Sequence, residues 1–191
     1  VFHVVGGQTN CRDTADATVI VHEYDVGMTV DYPLDTFCPN GGLIAPTINA
    51  LYQGVFVPSP GLALISDTTG VIDLGNSVDG REYIVRYEVR DGLCGEVAYD
   101  TLFIRTLDNA FFNYGIGQIC QADTVLLPVI PSGNPGSFSW VAPNQLLNLA
   151  LTDPLTGAID VGASQVGNYL VTYSTAGACP NTFTLPIRIF E

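Results

Sequence analysis

Lysine is missing from this sequence, and its six basic residues are all arginine. Against them stand 19 acidic residues, which give a formal net charge of -13 at pH 7. A surface this acidic repels nucleic-acid phosphates and anionic lipid head groups, so the composition predicts neither nucleic-acid binding nor binding to a membrane surface. It fits solubility in a salty medium or attraction of divalent cations. Without lysine, this chain also cannot form the lysine–asparagine isopeptide bonds of pilin-type domains, so cross-links have to come from cysteine.

Histidine is nearly missing too, and its scarcity argues against hydrolytic chemistry. Only His3 and His22 occur, whereas a serine-type hydrolase needs an imidazole base between a nucleophile and an orienting acid. The pair Gly41 and Gly42 precedes neither a lysine nor a helical segment, so no phosphate-binding loop is predicted. Most carboxylates fall in predicted turns and at strand ends rather than in a glycosidase-like pair. We therefore expect a protein that is not an enzyme.

Long apolar runs are absent as well. No stretch approaches 18 consecutive apolar residues, so the sequence predicts no membrane-spanning helix and no membrane insertion in this segment. Instead, short runs of valine, isoleucine, threonine and tyrosine alternate with turns that draw on 20 glycines and 12 prolines. In residues 83–90 the odd positions are tyrosine or valine and the even positions are mostly charged, as a half-buried strand requires. The pattern predicts an all-β fold.

What the sequence does contain is a repeat marked by cysteine. Cys11, Cys94 and Cys179 follow one another at nearly equal intervals, and almost the same interval separates Cys38 from Cys120. Around the first series the same order recurs: an aromatic strand, a glycine-containing turn, the cysteine, and a threonine-rich strand. A period of about 83 residues with an internal cysteine pair predicts an array of similar domains.

The repeat divides the chain into three parts. Residues 1–24 correspond to the C-terminal strands of a truncated upstream domain, and residues 25–107 and 108–191 are two complete copies. Turn signals recur roughly every 8–12 residues, so each complete copy should be an Ig-like antiparallel β-sandwich of about seven strands. The predicted architecture is therefore a tandem array of such sandwiches.

The cysteines are predicted to form one disulfide within each complete copy. The pairs implied by the repeat are Cys38–Cys94 and Cys120–Cys179, which close spans of similar length. Disulfides persist outside the cytosol, so we expect an extracellular protein at the cell surface. Cys11 matches the second cysteine of each pair, and its partner is expected upstream of the first residue. A free thiol and an intermolecular bridge are the alternatives for Cys11.

A short motif of aspartate and glycine occurs once in each complete copy, in residues 66–73 and 152–160. Aspartate ahead of a Thr-Gly pair makes an Asx-type turn, and Gly70 or Gly157 supplies the positive φ that reverses the chain. A calcium-binding loop is the alternative, because carboxylates around a tight turn can converge on a hard cation. The small number of ligands favours the turn.

Two aspartates occupy the predicted joints between domains. The spacing from Cys11 to Asp25 equals the spacing from Cys94 to Asp108. Both aspartates therefore lie at the boundary between one copy and the next. Carboxylates at such a joint can share a Ca²⁺ ion and stiffen an array, or they can be solvated linker residues. They are the weak candidates for a metal site, and Ca²⁺ is the one cofactor considered.

Trp140, the single tryptophan, follows Phe138 in a predicted strand. Packed in the core, it would fill the space between the two sheets of its sandwich. Exposed beside other aromatic side chains, it would stack on sugar rings and make the chain a carbohydrate-binding module. We favour the core position, and the burial of this side chain distinguishes the two functions.

The chain resembles the Ig-like repeats of giant Bacteroidota cell-surface proteins. Residues 11–21, a cysteine followed by a threonine-rich strand, look like the closing strand of those repeats, and residues 120–128, a cysteine near Leu-Pro, look like their opening. The Thr-Gly step in residues 69–73 and 156–160 also resembles cadherin-type repeats, although the cadherin calcium triads are absent. The resemblance implies export by the type IX secretion route and a role in adhesion, gliding or surface filaments, with no catalytic residues.

Together these features predict a non-enzymatic, extracellular structural or adhesive protein. Its disulfide-bonded sandwiches would build or space a cell-surface filament or adhesin. Its partners would be other repeats of the same chain or neighbouring subunits, and a surface glycan or protein. The alternative from another class is the carbohydrate-binding module of a secreted protein. In a further alternative, residues 1–24 complete the sandwich of a neighbouring subunit by strand addition.

Overall fold

The computed structural model describes the backbone of residues 2–8, 11–19, 21, 27–91, 94–143 and 146–191, and the side chains of these residues except 2–15, 91 and 94. Within these ranges the secondary structure consists of β-strands and a short 3-10 helix at Pro39–Gly41, with no α-helix. None of the described residues belongs to a helix long and apolar enough to cross a membrane. The predicted all-β fold of Ig-like sandwiches is confirmed.

The N-terminal strands form a hairpin of their own. β1 (Phe2–Gln8) and β2 (Cys11–Ala17) pair antiparallel along their full lengths and make a separate two-stranded sheet. Each strand therefore has the other as its neighbour. Strand addition to another subunit, the alternative for this segment, stays a prediction.

The first sandwich is built around a four-stranded sheet in the order β4-β10-β9-β7, with two two-stranded sheets, β3-β6 and β5-β8, that share its core. Most neighbours are antiparallel, whereas β4 runs parallel to the last strand, β10. The strands are β3 (Thr29–Asp31), β4 (Thr36–Phe37), β5 (Leu43–Ile44), β6 (Thr47–Asn49), β7 (Val55–Val57), β8 (Ile72–Asp73), β9 (Arg81–Asp91) and β10 (Cys94–Ile104).

The second sandwich repeats this plan. A four-stranded sheet, β11-β17-β16-β13, shares a core with a three-stranded sheet, β12-β15-β14. Here too the first strand, β11, runs parallel to the last, β17, and the other neighbours are antiparallel. The strands are β11 (Gln118–Cys120), β12 (Val125–Leu126), β13 (Gly136–Val141), β14 (Ala150–Asp153), β15 (Ala158–Asp160), β16 (Gly167–Thr175) and β17 (Thr182–Phe190).

Each sandwich has its own hydrophobic core. The first extends from Val30 in β3 to Ile104 in β10, and the second from Ala110 to Ile189 in β17, with no buried residue in common. Along β9 the tyrosines and valines at positions 83, 85, 87 and 89 are all buried, so the predicted alternation is correct. Full burial of such a side chain contributes about 1.5–3 kcal/mol, so β9 contributes substantially to the stability of the first sandwich.

One acidic residue on the opposite face of β9 departs from that alternation. Glu88 is only 7% exposed, because it lies beside Val55 of the edge strand β7. Its carboxylate is compensated by two arginines on the same strand: Arg86 lies 2.6 Å from Oε1 and Arg90 3.1 Å from Oε2. A buried carboxylate requires such partners, since an unpaired charge is costly to desolvate.

Turns are present at residues 66–73 and 152–160, and each is held by a buried tyrosine. The predicted Asx-type contact is made by Asp153, whose Oδ1 accepts from the Leu155 N–H at 2.8 Å, whereas in the first turn Ser66 Oγ accepts from the Thr68 N–H at 3.3 Å. Gly70 and Gly157 have φ values of 68° and 71°, in the region that favours glycine. The Tyr32 hydroxyl donates to the Gly70 carbonyl at 2.5 Å, and the Tyr114 hydroxyl donates to the Gly157 carbonyl at 2.6 Å. Burial raises the pKa of both phenols well above their usual value near 10. The two sandwiches thus fix matching turns with the same hydrogen bond.

Candidate functional site

The site with the clearest built geometry is the junction between the two sandwiches. The last strand of the first sandwich, β10, ends at Ile104, which lies opposite Phe37 in the parallel register of β4. One residue later, the Arg105 N–H donates to the Phe37 carbonyl at 2.9 Å. Because Cys38 follows Phe37 directly, it is placed at the end of the first sandwich from which the chain leaves.

The second sandwich contributes the hairpin that joins β16 to β17, residues 176–181. The Thr175 hydroxyl accepts from the Asn181 N–H at 2.8 Å, and the Thr175 N–H donates to the Asn181 carbonyl at 2.9 Å, which closes the hairpin. Cys179, within this turn, is 1% exposed. The Asp108 N–H donates to the Cys179 carbonyl at 2.8 Å, so the hairpin is held against the linker that enters the second sandwich.

A disulfide joins these two ends. Cys38 and Cys179 are bonded, with their Cα atoms 5.4 Å apart and a separation of 141 positions in the sequence. The bond therefore connects the first sandwich to the second. On loop-closure entropy alone, a ring of this length stabilises the folded chain by about 5 kcal/mol.

The predicted pairing of cysteines is wrong, although Cys38 and Cys179 are disulfide cysteines as expected. Cys94 opens β10, whereas Cys38 lies beside the end of that strand. A strand of this length extends over about 33 Å, and a disulfide requires Cα atoms within about 7 Å. The pair Cys38–Cys94 is therefore excluded by the register.

The second predicted pair fails for the same reason. Cys120 lies opposite Phe190, at the end of β17, while Cys179 precedes the first residue of that strand. β17 is about 27 Å long, so the two cysteines lie near its opposite ends, beyond the reach of a disulfide. Among the described side chains Cys120 is free and exposed. The side chains of Cys11 and Cys94 lie outside the described part of the chain.

Hydrogen bonds reinforce the covalent junction on both sides. Asn40, in the 3-10 helix after Cys38, donates from Nδ2 to the Pro180 carbonyl at 2.9 Å. Asp108 accepts from the Gly177 N–H on Oδ2 at 3.0 Å, and its carbonyl accepts from Asn181 Nδ2 at 3.1 Å. The linker and the hairpin are therefore tied at several points besides the disulfide.

The structure gives Asp108 a structural role at the joint. Its carboxylate orients the hairpin that carries Cys179, which the sequence does not reveal because Asp108 and Gly177 are 69 positions apart. Among the described residues no group of three or more histidine, cysteine, aspartate or glutamate side chains is placed to hold a metal ion. The Ca²⁺ role considered for Asp108 stays a prediction, and Asp25 lies outside the described residues.

Trp140 lies on the core side of β13, as favoured from the sequence. It is partly buried, and its ring meets that of the buried Tyr169 edge-on, with centroids 5.8 Å apart and an interplanar angle of 80°. Edge-to-face contacts of this kind stabilise aromatic pairs within a core. Trp140 therefore contributes to the packing of the second sandwich.

Comparisons with known proteins return structural likenesses only. No family model matches the chain, and no curated protein matches it. A SusE-like surface-located polysaccharide-binding protein from the heparin utilisation locus of Bacteroides thetaiotaomicron is 16% identical, with a TM-score of 0.46 over 86% of this chain and 33% of its own. The chain thus spans about a third of that protein.

Two further likenesses are to animal proteins. Mouse cadherin-23 domains EC22-24 are 16% identical, with a TM-score of 0.35 over 85% of this chain and 67% of theirs. Drosophila OTK extracellular domains 3–5 are 10% identical, with a TM-score of 0.38 over 96% of this chain and 68% of theirs. With values this low, a function has to be inferred from the chain's own geometry.

Proposed function

We propose that this chain is part of a non-enzymatic, extracellular array of Ig-like sandwiches, which spaces or builds an adhesive structure at the cell surface. The observation that carries the proposal is the Cys38–Cys179 disulfide, because it ties one sandwich to the next. A bond in this place does not serve either core. It fixes how consecutive sandwiches are arranged, which is what a spacer needs.

The same bond supports a location outside the cytosol. Structural disulfides persist where the environment is oxidising, and the reducing cytosol does not maintain them. The charge of -13 keeps such a protein soluble and apart from anionic lipid surfaces. Both features support an exposed position on or outside the cell.

The tandem character is part of the proposal, with residues 25–107 and 108–191 as successive repeats. It is supported by pairs of matching contacts in the two sandwiches, such as the tyrosine-to-glycine bonds of the two turns. In addition, Ser77 donates from Oγ to the Asp73 carbonyl at 2.7 Å, and Ser164 donates from Oγ to the Asp160 carbonyl at 2.6 Å. Repeats of one unit would preserve such details.

Adhesion would use many sandwiches at once. In an array, weak contacts of each unit with a surface glycan or protein add up to avidity if the spacing lets them engage together. Neighbouring repeats and neighbouring subunits are the other partners that we propose. Because Trp140 is packed against Tyr169, the carbohydrate-binding module is less well supported than the array.

The proposal is tested on intact cells of the native source. Arg105 is exposed in the linker, so trypsin added to the medium should cut there without lysis, which a reducing gel shows as two shorter fragments. In protein alkylated at the moment of lysis, peptide mapping should recover Cys38 bonded to Cys179. Protein that resists trypsin until the cells are opened, with Cys38 and Cys179 both alkylated, would show a cytosolic protein and overturn the proposal.

A further inference from the structure

Cys120 occupies in the second sandwich the place that Cys38 occupies in the first. β4 and β11 both run parallel to the last strand of their sheet. Phe37 lies opposite Ile104, and Ile119 lies opposite Ile189, in equivalent registers. In each sandwich the residue that follows is the cysteine.

Both cysteines are therefore placed at the end from which the chain leaves its sandwich. At the first such end, Cys38 is bonded to the hairpin of the following sandwich. At the second, Cys120 is exposed, and the neighbouring Gln121 N–H donates to the Phe190 carbonyl at 2.7 Å, one residue before the last residue of the sequence. The thiol is accessible beside the exit of the chain.

We propose that Cys120 forms a disulfide with a further sandwich of the same kind, which follows in the same polypeptide and presents a hairpin cysteine equivalent to Cys179. This inference rests on the array proposed above. The bond of Cys38 indicates the partner. At the equivalent position of the first sandwich, Cys38 is already bonded to the hairpin cysteine of the sandwich that follows.

The hairpin cysteine is the complementary half of the junction. Cys179 lies in the hairpin between the last two strands of the second sandwich, and Cys94 lies at the same point of the first, where β10 begins after β9. Each sandwich then has one cysteine at its exit end and one at its entry end. Such a head-to-tail contact uses two different ends of the sandwich, so each further sandwich can repeat it along an array.

The polar contacts of the junction are not all expected to recur. Asn40, two residues after Cys38, bonds across the existing junction, but the residue two positions after Cys120 is Ala122, which has no side-chain donor. The neighbouring Gln121 donates from Nε2 to the carbonyls of Gly162 and Ser164 within its own sandwich, at 3.3 and 2.7 Å. The disulfide is therefore expected at the next junction, and the Asn40 contact is not.

A three-sandwich protein tests the bond directly. A second copy of residues 107–191 is joined after Glu191, since Ile189 matches Ile104 and the linker then has its natural length. The added copy carries Cys120→Ser, so the original Cys120 is the only cysteine at this position in the fusion. Alkylation of Cys120 under native conditions should fall from complete in the original chain to background in the fusion. A matched fusion with Cys179→Ser in the added copy should restore complete alkylation.

Peptide mapping identifies the partner. Cleavage before Asp123, Asp153 and Asp160 separates Cys120 from Cys179, so a linked pair of these peptides reports the new bond. Continued alkylation of Cys120 in a folded fusion would overturn the proposal. Should the added copy not fold, the native protein decides: Cys120 joined to a cysteine beyond residue 191 supports the bond, and a free Cys120 refutes it. A native protein with Cys38–Cys179 intact and Cys120 free would refute this inference alone and leave the proposed function standing.

Discussion

At the scale of single residues, glycines and tyrosines fix the turns of each sandwich. Gly157 has a positive φ and lies under the Phe138 ring, so that a Cβ atom there would come within 2.7 Å of the ring. The Tyr114 hydroxyl bonds to the carbonyl of this glycine. Gly157 therefore supplies the positive φ, leaves room for the Phe138 ring and accepts the Tyr114 hydrogen bond.

Gly157→Ala should lower the free energy of unfolding of the second sandwich by about 2–5 kcal/mol. Positive φ alone costs alanine about 1–2 kcal/mol, and the clash with Phe138 adds about 1–3 kcal/mol. Gly133→Ala is the matched control, because Gly133 has φ 65° and an added Cβ atom would meet nothing within 4 Å. Urea unfolding followed by the fluorescence of Trp140 measures both variants. Equal losses would show that the ring contact has no effect.

Stability of the second sandwich should decline above about pH 10. Burial raises the pKa of Tyr114 in the folded state, so the unfolded chain releases this proton first as the pH rises. The contribution of Tyr114 to the free energy of unfolding is fully present below the pKa that this phenol has in the unfolded chain. Above that pKa the contribution falls by about 1.4 kcal/mol per pH unit. Tyr114→Phe should make the decline shallower, and Tyr99→Phe, at an exposed position, should not. Unfolding is followed from pH 8 to 11.5 in a Cys11→Ser, Cys94→Ser, Cys120→Ser background, which leaves only the bonded Cys38 and Cys179 and so prevents thiol exchange. An unchanged slope in Tyr114→Phe would contradict this account.

At the scale of strands, the edge strand β13 depends on a close approach of two backbones. A Cβ atom on Gly136, the first residue of β13, would overlap the Ser174 carbonyl oxygen of β16 and the ring of Tyr173. The hydroxyl of Tyr173 donates to the Asn134 carbonyl at 2.5 Å just before this strand. Glycine is therefore required where β13 meets the sheet.

Gly136→Ala should displace the start of β13 and lower the free energy of unfolding by about 3 kcal/mol or more, since neither backbone can move independently. Trp140 lies in the same strand, so its near-ultraviolet circular dichroism should weaken in the folded variant. Gly117→Ala, which has nothing within 4 Å of the added atom, is the control and should retain the signal. A wild-type signal in Gly136→Ala would show that the strand accommodates the methyl group.

Local pattern sufficed for the strands but not for the cysteine bonds. The alternation of residues 83–90 and the turns at Gly70 and Gly157 follow from neighbouring residues, so the sequence predicts them. The partner of Cys38 depends on which end of β10 lies beside β4. That parallel pairing joins a strand near the start of the first sandwich to its last strand, which is distant in the sequence. The role of Asp108 is likewise a contact between distant segments. A repeat period reveals which cysteines are equivalent, but it does not show whether each pair lies within one sandwich or between two.

At the scale of the whole molecule, the two sandwiches are joined twice, by the linker and by the disulfide. Trypsin distinguishes the two connections, because Arg105 is exposed in the linker and the chain has no lysine. After cleavage at Arg105, the two halves should stay together on a non-reducing gel and separate once a thiol is added. Halves that separate without reductant would contradict the Cys38–Cys179 bond. Cys179→Ser provides that separated pattern as a control.

The same bond determines how the chain responds to tension. When the two termini are pulled apart, the force passes from Cys38 through the sulfur atoms to Cys179, so the strands from β5 to β16 are bypassed. The 141 residue steps of the ring would add roughly 500 Å of extension on reduction, at about 3.3–3.6 Å per residue. In single-molecule pulling, the oxidised chain should lack this extension, and it should be released in one or more steps when a reductant is added. An oxidised chain that reaches full length would show that the bond does not carry the force. With the bond in place, tension acts only on the segments before Cys38 and after Cys179, and the ring between them is not extended.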